Sequence, residues 1–340
     1  MSQTRQPDAP DPVADTRTVA VLTHVHRPEA IRSARQFIEA MADHRICSAV
    51  PAEDVDVLEL DERARAHVVL LDAENENTDT DIELAVVFGG DGTILRGAEW
   101  TLSRDIPLLG VNLGHVGFLA ELESSQADEL VEAVASGDYV VEERMTCQVV
   151  VRDKPLRDGG TEIWSASAVN EVSIEKAARE RMLELLVAVD DRPLSRWGCD
   201  GVLVATPTGS TAYAFSAGGP VMWPGIDALL MVPVSAHALF ARPMVLGPNS
   251  TVAVQLVDTA VDLAGVVWCD GRRSFDVEPG MEIEVVAGEH RLRLAQISQA
   301  PFTDRLVRKF GLRVEGWRGV AEQRHLVEKE APATSRSPRR

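Results

Sequence analysis

Short apolar runs alternate with amphipathic helical stretches over the first part of the chain. Apolar side chains recur at helical spacing between these runs, and the runs themselves read as buried strands. The predicted strands cover residues 18–23, 84–88 and 106–111, and the predicted helices cover 28–43, the stretch from Thr93 onward, and 127–135. Alternating strands and helices are typical of a parallel sheet covered by helices. We therefore expect an α/β, Rossmann-like domain over residues 17–145.

The pattern changes after residue 145 to short strands with few helix signals. The strands are predicted at residues 146–152, 166–174, 182–189, 202–205, 251–257, 265–268, 281–287 and 291–297. Many short strands separated by turn residues are typical of an all-β domain, here sandwich-like. This second domain is expected to cover residues 146–300.

Three stretches stand apart from the two predicted domains. A helical pattern returns at residues 301–321, and we expect this helix to pack back on the first domain. Residues 1–16 and 322–340 are polar and are predicted to be disordered tails. Residues 52–80 are crowded with Asp and Glu around the apolar piece 68–71, which predicts a mobile surface insert carrying one strand.

Charge and composition disfavour several classes of function. The net charge of −19 disfavours binding to nucleic acid and to anionic membranes. No apolar run approaches the roughly 20 residues of a membrane span, and the first residues lack the apolar core of a signal peptide. The four cysteines are widely spaced, which favours reduced core residues over disulfides or zinc ligands. A cytoplasmic enzyme or binding protein is expected.

A glycine loop, Gly89-Gly90-Asp91-Gly92-Thr93, joins a predicted strand to a predicted helix. Glycines permit close approach of a ligand, and the start of a helix offers free N–H groups and a positive dipole end to phosphate. The carboxylate of Asp91 does not suit phosphate binding alone, so it is a candidate metal ligand or proton acceptor. The alternative is an ordinary turn in which Asp91 bonds only its own backbone.

Polar residues interrupt apolar runs at several further places. The run from Asp200 to Tyr213 ends a strand in the hydroxyls of Thr206, Thr208, Ser210 and Thr211. Such a loop suits ribose hydroxyls, phosphate or a purine edge, although Pro-Thr-Gly-Ser is also ordinary turn chemistry. Asn170-Glu171 lies inside an apolar strand, so at least one of the two faces a polar site or a sheet edge. Asp270-Gly271 reads as a hairpin turn, and His115 is as readily a loop histidine as a ligand contact.

Together these motifs resemble the NAD kinase family over roughly residues 17–315. The resemblance rests on Gly-Gly-Asp-Gly-Thr at 89–93, Asn-Leu-Gly-His-Val-Gly-Phe-Leu at 112–119, Asn170-Glu171, and the hydroxyl-rich run at 200–213. Diacylglycerol kinases, sphingosine kinases and 6-phosphofructokinases share similar glycine–aspartate loops. The hydroxyl-rich run separates NAD kinases from them.

The resemblance implies roles for individual residues. Asp91 would accept the proton of the 2′-hydroxyl of the adenosine ribose. Asn170 and Glu171 would bond ribose and adenine-side groups, and Asp200 the nicotinamide half. The other implied ligand contacts are Gly92, Arg96, Arg181, Thr211, Ala212, Tyr213, Ala214, Phe215 and Ser216. Asp270-Gly271 matches a family position without an assigned role.

The implied reaction is phosphorylation of NAD to NADP, with ATP or polyphosphate as donor and Mg²⁺ or another divalent cation as cofactor. No protein metal-ligand set is expected, and the family associates as homodimers or homotetramers. Two other functions stay open. A lipid or sugar kinase would use the same glycine loop, and a dinucleotide-sensing module would bind without catalysis, although Asp91 disfavours pure binding.

Overall fold

The computed structural model describes residues 17–71, 81–113, 117–123, 126–178, 181–257, 264–297 and 301–312. It divides into two compact units, residues 1–299 and 300–340. The first unit holds an α/β layer and a β-sandwich. The predicted tails at 1–16 and 322–340, and residues 313–321 of the predicted last helix, lie outside the described residues.

An eight-stranded sheet forms the α/β layer. Its strands are β1 (Thr18–Thr23), β2 (Cys47–Pro51), β3 (Val68–Leu71), β4 (Leu84–Gly89), β5 (Leu108–Asn112), β6 (Ala120–Glu123), β7 (Val140–Arg144) and β20 (Leu292–Gln296). Their order is β3-β2-β1-β4-β5-β20-β7, and β6 also pairs with β5. All neighbours are parallel except the pair β20–β7. The predicted parallel sheet is therefore confirmed, with an antiparallel edge.

The longer helices of this layer form where apolar residues recur at helical spacing. They are α1 (Pro28–Asp43), α4 (Asp91–Leu102) and α5 (Ala127–Ser136). In α1, the side chains of Ala34, Phe37, Ile38 and Met41 are buried in a core shared with β1 and β4. Gly137 ends α5 in the left-handed conformation (φ 75°), as its place after the last apolar turn predicts.

The acidic stretch after β2 folds into short helices that bury two side chains in the core, so its prediction as a mobile surface insert is wrong for residues 52–67, whereas the strand expected at 68–71 is present as β3. A 3₁₀ turn (Ala52–Asp54) leads into two short helices, α2 (Val55–Leu58) and α3 (Glu62–Arg65), and then into β3. Leu58 and Ala64 are fully buried in the same core as α1. The isolated apolar residues among the acids are thus the inward side of short helices. Residues 72–80 are outside the described residues.

The β-sandwich consists of two six-stranded antiparallel sheets. One has the order β15-β14-β13-β10-β17-β18 and the other β12-β11-β16-β19-β8-β9. The strands are β8 (Cys147–Arg152), β9 (Glu162–Ala168), β10 (Glu171–Lys176), β11 (Leu183–Val189), β12 (Arg192–Cys199), β13 (Gly201–Ala205), β14 (Leu229–Val234), β15 (Met244–Leu246), β16 (Val252–Leu256), β17 (Gly265–Cys269), β18 (Arg273–Val277) and β19 (Glu282–Ala287). Inward side chains of both sheets share one core, which confirms the predicted sandwich.

Two predicted strands differ from the structure. The strand expected over 166–174 is broken at Val169 and Asn170, which form a bend between β9 and β10. The strand expected over 291–297 forms as β20 but lies in the α/β sheet, between β5 and β7. The apolar residues of this strand are compatible with the α/β sheet and with the sandwich. Only the pairing of the strand in the folded chain shows which of the two it joins.

The second unit contains helix α7 (Phe302–Phe310), which ends at Gly311 in the left-handed conformation (φ 58°). This confirms a helix at the start of the 301–321 prediction. Its packing on the first domain stays a prediction. Within the described part of the chain, no helix is both long and apolar enough to cross a membrane. All four cysteines are free.

Candidate functional site

The glycine loop turns the end of β4 directly into α4. Gly90 caps the helix in an extended conformation, and its carbonyl oxygen accepts the amides of Thr93 (2.9 Å) and Ile94 (3.1 Å). A Cβ atom on Gly89 would lie 2.5 Å from the Thr93 side chain, so only glycine fits there. Asp91 is consequently the first residue of the helix, at the positive end of the dipole of α4.

Two glycine-containing loops meet at Asp91, namely the 89–93 loop and a second loop within the 112–119 motif, which contains Gly117. A Cβ atom built on Gly117 of the second loop would stand 2.0 Å from Asp91 Oδ1. The carboxylate therefore lies against the bare backbone of Gly117. Open space lies above Gly92, where an added Cβ would have no neighbour within 4 Å among the described atoms. His115 is outside the described residues.

A cleft of about 420 Å³ opens in front of this loop. Its lining combines Asp91 with five basic or imidazole side chains, namely His24, His26, Arg27, Arg96 and Arg272. Arg96 is held by a hydrogen bond to the carbonyl of Thr23 (2.9 Å), at the end of β1. The cleft gathers three arginines in a chain of net charge −19, so it suits a polyanionic ligand.

Sequence reasoning missed the contribution of residues 24–27 to this cleft. They form the turn after β1, at the same edge of the sheet as the turn after β4, because β1 and β4 are adjacent and parallel. The signal was present in the sequence, since His24, His26 and Arg27 follow a buried strand directly. Ligands of parallel sheets bind at this edge.

The Asn170-Glu171 pair lies where the chain enters β10, with Asn170 in the bend and Glu171 as the first residue of the strand. Glu171 is only 8% exposed, and its Oε2 atom is buried without a hydrogen-bond partner. Burial, followed by the nearby charge of Asp270, raises the pKa of Glu171 to about 8, although the Tyr213 backbone amide donates a hydrogen bond to the carboxylate. Glu171 is therefore largely protonated at neutral pH and can both donate and accept a hydrogen bond.

Three of the four hydroxyls of the 206–211 loop bond backbone carbonyls, two within the loop and one in the neighbouring bend. Thr206 Oγ1 donates to the Val169 carbonyl (2.6 Å), and Ser210 Oγ donates to the Pro207 carbonyl (2.6 Å). Thr211 Oγ1 donates to the Thr208 carbonyl (3.1 Å). Thr206 and Ser210 are fully buried. Ligand binding was predicted from the large number of hydroxyls in this loop. In the structure, the bonds of Thr206, Ser210 and Thr211 fix the shape of the loop and attach it to the 169–171 bend.

The residues after this loop form the short helix α6 (Tyr213–Ser216). Ala214 is buried, whereas the aromatic side chains of Tyr213 and Phe215 are 37% and 41% exposed. The first residue of α6 contacts Glu171 through its amide, as described above. The structure therefore brings the Asn-Glu pair and the predicted 211–216 contacts together.

Asp200 forms an ion pair immediately before β13. Its Oδ1 atom is 2.5 Å from Lys176 Nζ, and this hydrogen bond lowers the pKa of Asp200. Arg181 is exposed just before β11. Among the described residues, no group of three or more His, Cys, Asp or Glu side chains is placed to hold a metal ion.

Comparison with known proteins identifies the family. The models of the ATP-NAD kinase N-terminal and C-terminal domains match residues 19–139 and 169–297. The NAD kinase of Cutibacterium acnes is 51% identical over 313 residues, which are 92% of this chain and 95% of that protein. The chain belongs to the NAD kinase family. The resemblance inferred from the motifs is thereby confirmed, as is the predicted class of enzyme, a phosphotransferase.

Other relatives share the family name over most of their length. The NAD kinase of Thermobifida fusca is 47% identical and covers 91% of this chain and 93% of that protein. The NAD kinase of Mycobacterium tuberculosis is 47% identical, with 89% and 98% covered.

Two solved structures have the NAD kinase fold. Yeast NADH kinase complexed with NADH has a TM-score of 0.77 at 21% identity and covers 88% of this chain and 89% of that chain. An NAD kinase from Archaeoglobus fulgidus in complex with ATP has a TM-score of 0.60 at 25% identity, with 87% and 98% covered. The likeness to the yeast structure concerns the fold alone, and it supports the α/β layer and the β-sandwich described above.

Proposed function

We propose that this NAD kinase family member transfers a terminal phosphoryl group of ATP or polyphosphate to the 2′-hydroxyl of the adenosine ribose of NAD, giving NADP. The observation that carries the proposal is the position of Asp91. Among the residues that the structure describes, it is the only carboxylate lining a cleft that holds three arginines at the start of a helix. A phosphate-binding site gains nothing from a carboxylate unless that group handles a proton or helps to hold a metal ion.

In the proposed reaction the 2′-oxygen attacks the terminal phosphorus, and the bond from that phosphorus to its bridging oxygen breaks. Asp91 accepts the 2′-hydroxyl proton and later releases it to water. Such phosphoryl transfers have loose transition states, so positioning and charge stabilisation matter more than base strength. Asp91 therefore needs only a place within hydrogen-bond reach of one hydroxyl.

The basic side chains of the cleft supply the charge stabilisation. Arg96, with the neighbouring Arg27 and Arg272, faces the phosphates of the donor or the pyrophosphate of NAD. The N–H groups at the start of α4, beside Gly92, add partial positive charge. Because the 2′- and 3′-hydroxyls are chemically alike, the rigid packing of Asp91 against Gly117 selects one of them by geometry.

The residues around the 169–171 bend and the segment after the hydroxyl-rich loop are assigned to NAD, which is the phosphoryl acceptor. Asn170 and Glu171 bond the ribose and adenine side of NAD, and the 211–216 segment lines the adenosine site. Asp200 is assigned to the nicotinamide half and Arg181 to a further substrate contact. The proton on Glu171 supports this assignment, because a neutral carboxylic acid can bond a sugar or base without repelling the pyrophosphate.

Mg²⁺ fits the cleft as an ion that arrives with the phosphates. Asp91 is the one carboxylate in the described part of the lining, and Mg²⁺ sites are commonly completed by one or two carboxylates, substrate phosphates and water. When bound, the ion would offset the negative charge of the phosphates.

The test is an assay of NADP formation by the purified full chain with NAD, Mg²⁺ and either ATP or polyphosphate. NADP is read with a dehydrogenase specific for it, and reactions without donor give the background. No NADP from either donor would overturn the proposal. Phosphorylation of diacylglycerol, sphingosine or fructose 6-phosphate instead of NAD would favour the lipid or sugar kinase alternative.

The proposal includes a homodimer or homotetramer in the cytoplasm. Exposed apolar side chains on the sandwich layer, among them Trp223, Leu239 and Phe240, support association with a second copy. Light scattering coupled to size exclusion gives the mass of the assembly. A monomer at micromolar concentration would contradict this part.

A further inference from the structure

Asp270 occupies an unusual place in the turn between β17 and β18. Its φ is +54°, in the left-handed region that favours glycine, and its side chain is 0% exposed. The hairpin turn expected for Asp270-Gly271 is present, but a turn alone does not require a buried carboxylate. Burying a charge is costly unless hydrogen bonds compensate for it.

The Asp270 carboxylate binds the bend that carries the Asn-Glu pair. Oδ2 accepts the amide of Val169 (2.9 Å), and Oδ1 accepts the amides of Asn170 (2.6 Å) and Glu171 (3.2 Å). The Asp270 amide in turn donates to the Glu171 carbonyl (3.0 Å). One side chain therefore binds the N–H groups of three successive residues about 100 positions away in sequence.

The hydroxyl-rich loop holds the opposite side of the same bend. The Thr206 amide donates to the Asn170 carbonyl (2.9 Å), and its hydroxyl donates to the Val169 carbonyl. Gly209 packs so closely that an added Cβ would lie 1.9 Å from the Asn170 oxygen. The amides of residues 169–171 are thus bound by Asp270, and the carbonyls of Val169 and Asn170 are bound by the loop.

The turn that contains Asp270 also contacts the helix that carries Asp91. Arg273 Nε lies 2.8 Å from Glu99 Oε1 of α4, and Arg272 Nη1 lies 3.5 Å from the Gly92 carbonyl. The β17–β18 turn and the first residue of β18 therefore contact both the 169–171 bend and α4, the helix that carries Asp91.

We propose that Asp270 is a positioning residue for the acceptor dinucleotide. By binding the three amides of residues 169–171, it fixes the directions of the Asn170 and Glu171 side chains relative to the start of α4. This inference rests on the proposed function, in which that pair contacts NAD. Asp270 itself touches backbone and takes no part in proton or phosphoryl transfer.

The first test replaces Asp270 by asparagine, which keeps the shape and tolerates the left-handed conformation but turns one acceptor oxygen into a donor. The matched control is Asp276→Asn, an exposed aspartate on β18. We expect D270N to raise the KM for NAD by about tenfold or more. The KM for ATP should stay within about twofold of the unchanged protein. A purely structural role would lower the unfolding midpoint without separating the two KM values.

A KM for NAD in folded D270N equal to that of D276N would overturn the inference. A second measurement does not depend on the variant folding. In the unchanged protein, the amides of Val169 and Asn170 should exchange with deuterium as slowly as those inside β10, although they lie in a bend. Rapid exchange there would also overturn it. Failure of the proposed function is distinguishable, since the unchanged protein would then form no NADP at all.

Discussion

The Asp91 carboxylate lies against Gly117, so closely that a Cβ atom on Gly117 would be 2.0 Å from Asp91 Oδ1. The contact joins two glycine loops that are separate in sequence. It also explains why the second loop carries glycine at this position, where φ is ordinary and conformation makes no demand.

Replacing Gly117 by alanine should therefore displace the Asp91 carboxylate. Because the displaced atom is the end of a side chain, we expect little loss of stability and a fall in kcat of about 100-fold, as expected when a reacting group is misplaced by an ångström. The control is Gly225→Ala, where an added Cβ meets nothing within 4 Å. Equal kcat values for the two variants would contradict the importance of this contact.

Asp91→Asn removes the proposed proton acceptor while preserving its shape. We expect kcat to fall by about 10² to 10⁴, the usual contribution of a general base. Binding of NAD, measured by calorimetry, should change little. Asp138→Asn, at an exposed aspartate after α5, controls for the loss of one negative charge. Near-normal turnover of D91N would remove the base assignment.

Arg27 tests whether the cleft binds the polyanionic substrate. It follows β1 in the turn that faces the glycine loop, and its Nη1 atom would lie 3.5 Å from a Cβ on Gly90. Arg27→Gln should raise the KM for the phosphoryl donor by roughly tenfold, and the effect should shrink at high salt. Arg32→Gln, at an exposed site on α1, should leave that KM unchanged. The same KM in both variants would mean that the donor lies elsewhere.

Local pattern was enough to predict the α/β layer and the sandwich, because each apolar period reflects the burial of one element. It was not enough to place β20, whose neighbours β5 and β7 lie far away in sequence. The break at residues 169–170 was invisible for the same reason. Val169 is apolar and suits a strand, and the bend exists because Asp270 binds its amide.

The residues of the candidate site also differ in whether the local sequence pattern predicts them. Gly89 and Gly90 at the start of α4 could be found from sequence, since a strand, a glycine loop and a helix follow each other directly. The role of Thr206 could not be found from the sequence. Its hydroxyl was interpreted as a ligand contact, whereas it bonds the Val169 carbonyl across the fold. The ligand roles of Asn170, Arg181 and Asp200 stay predictions that the assays above address.

Glu171 makes stability depend on pH in a direction opposite to that of most carboxylates. Its pKa is raised from 4.5 to about 8, chiefly by burial. Below pH 4.5 the carboxyl is protonated in both folded and unfolded chains and has no effect. As the pH rises toward 8, the unfolded chain releases the proton while the folded chain retains it. The free energy of unfolding should therefore fall, by up to about 4 kcal/mol for this group.

Glu171→Gln removes this titration and keeps the size of the side chain. Urea unfolding at several pH values between 5 and 8.5 should show a flatter pH dependence for the variant, with its largest gain over the unchanged protein at the alkaline end. Glu162→Gln, at an exposed residue of β9, should follow the unchanged protein. Parallel curves for Glu171→Gln and the unchanged protein would mean that Glu171 is already ionised in the folded state. The proposed contact of a protonated Glu171 with NAD would then be wrong as well.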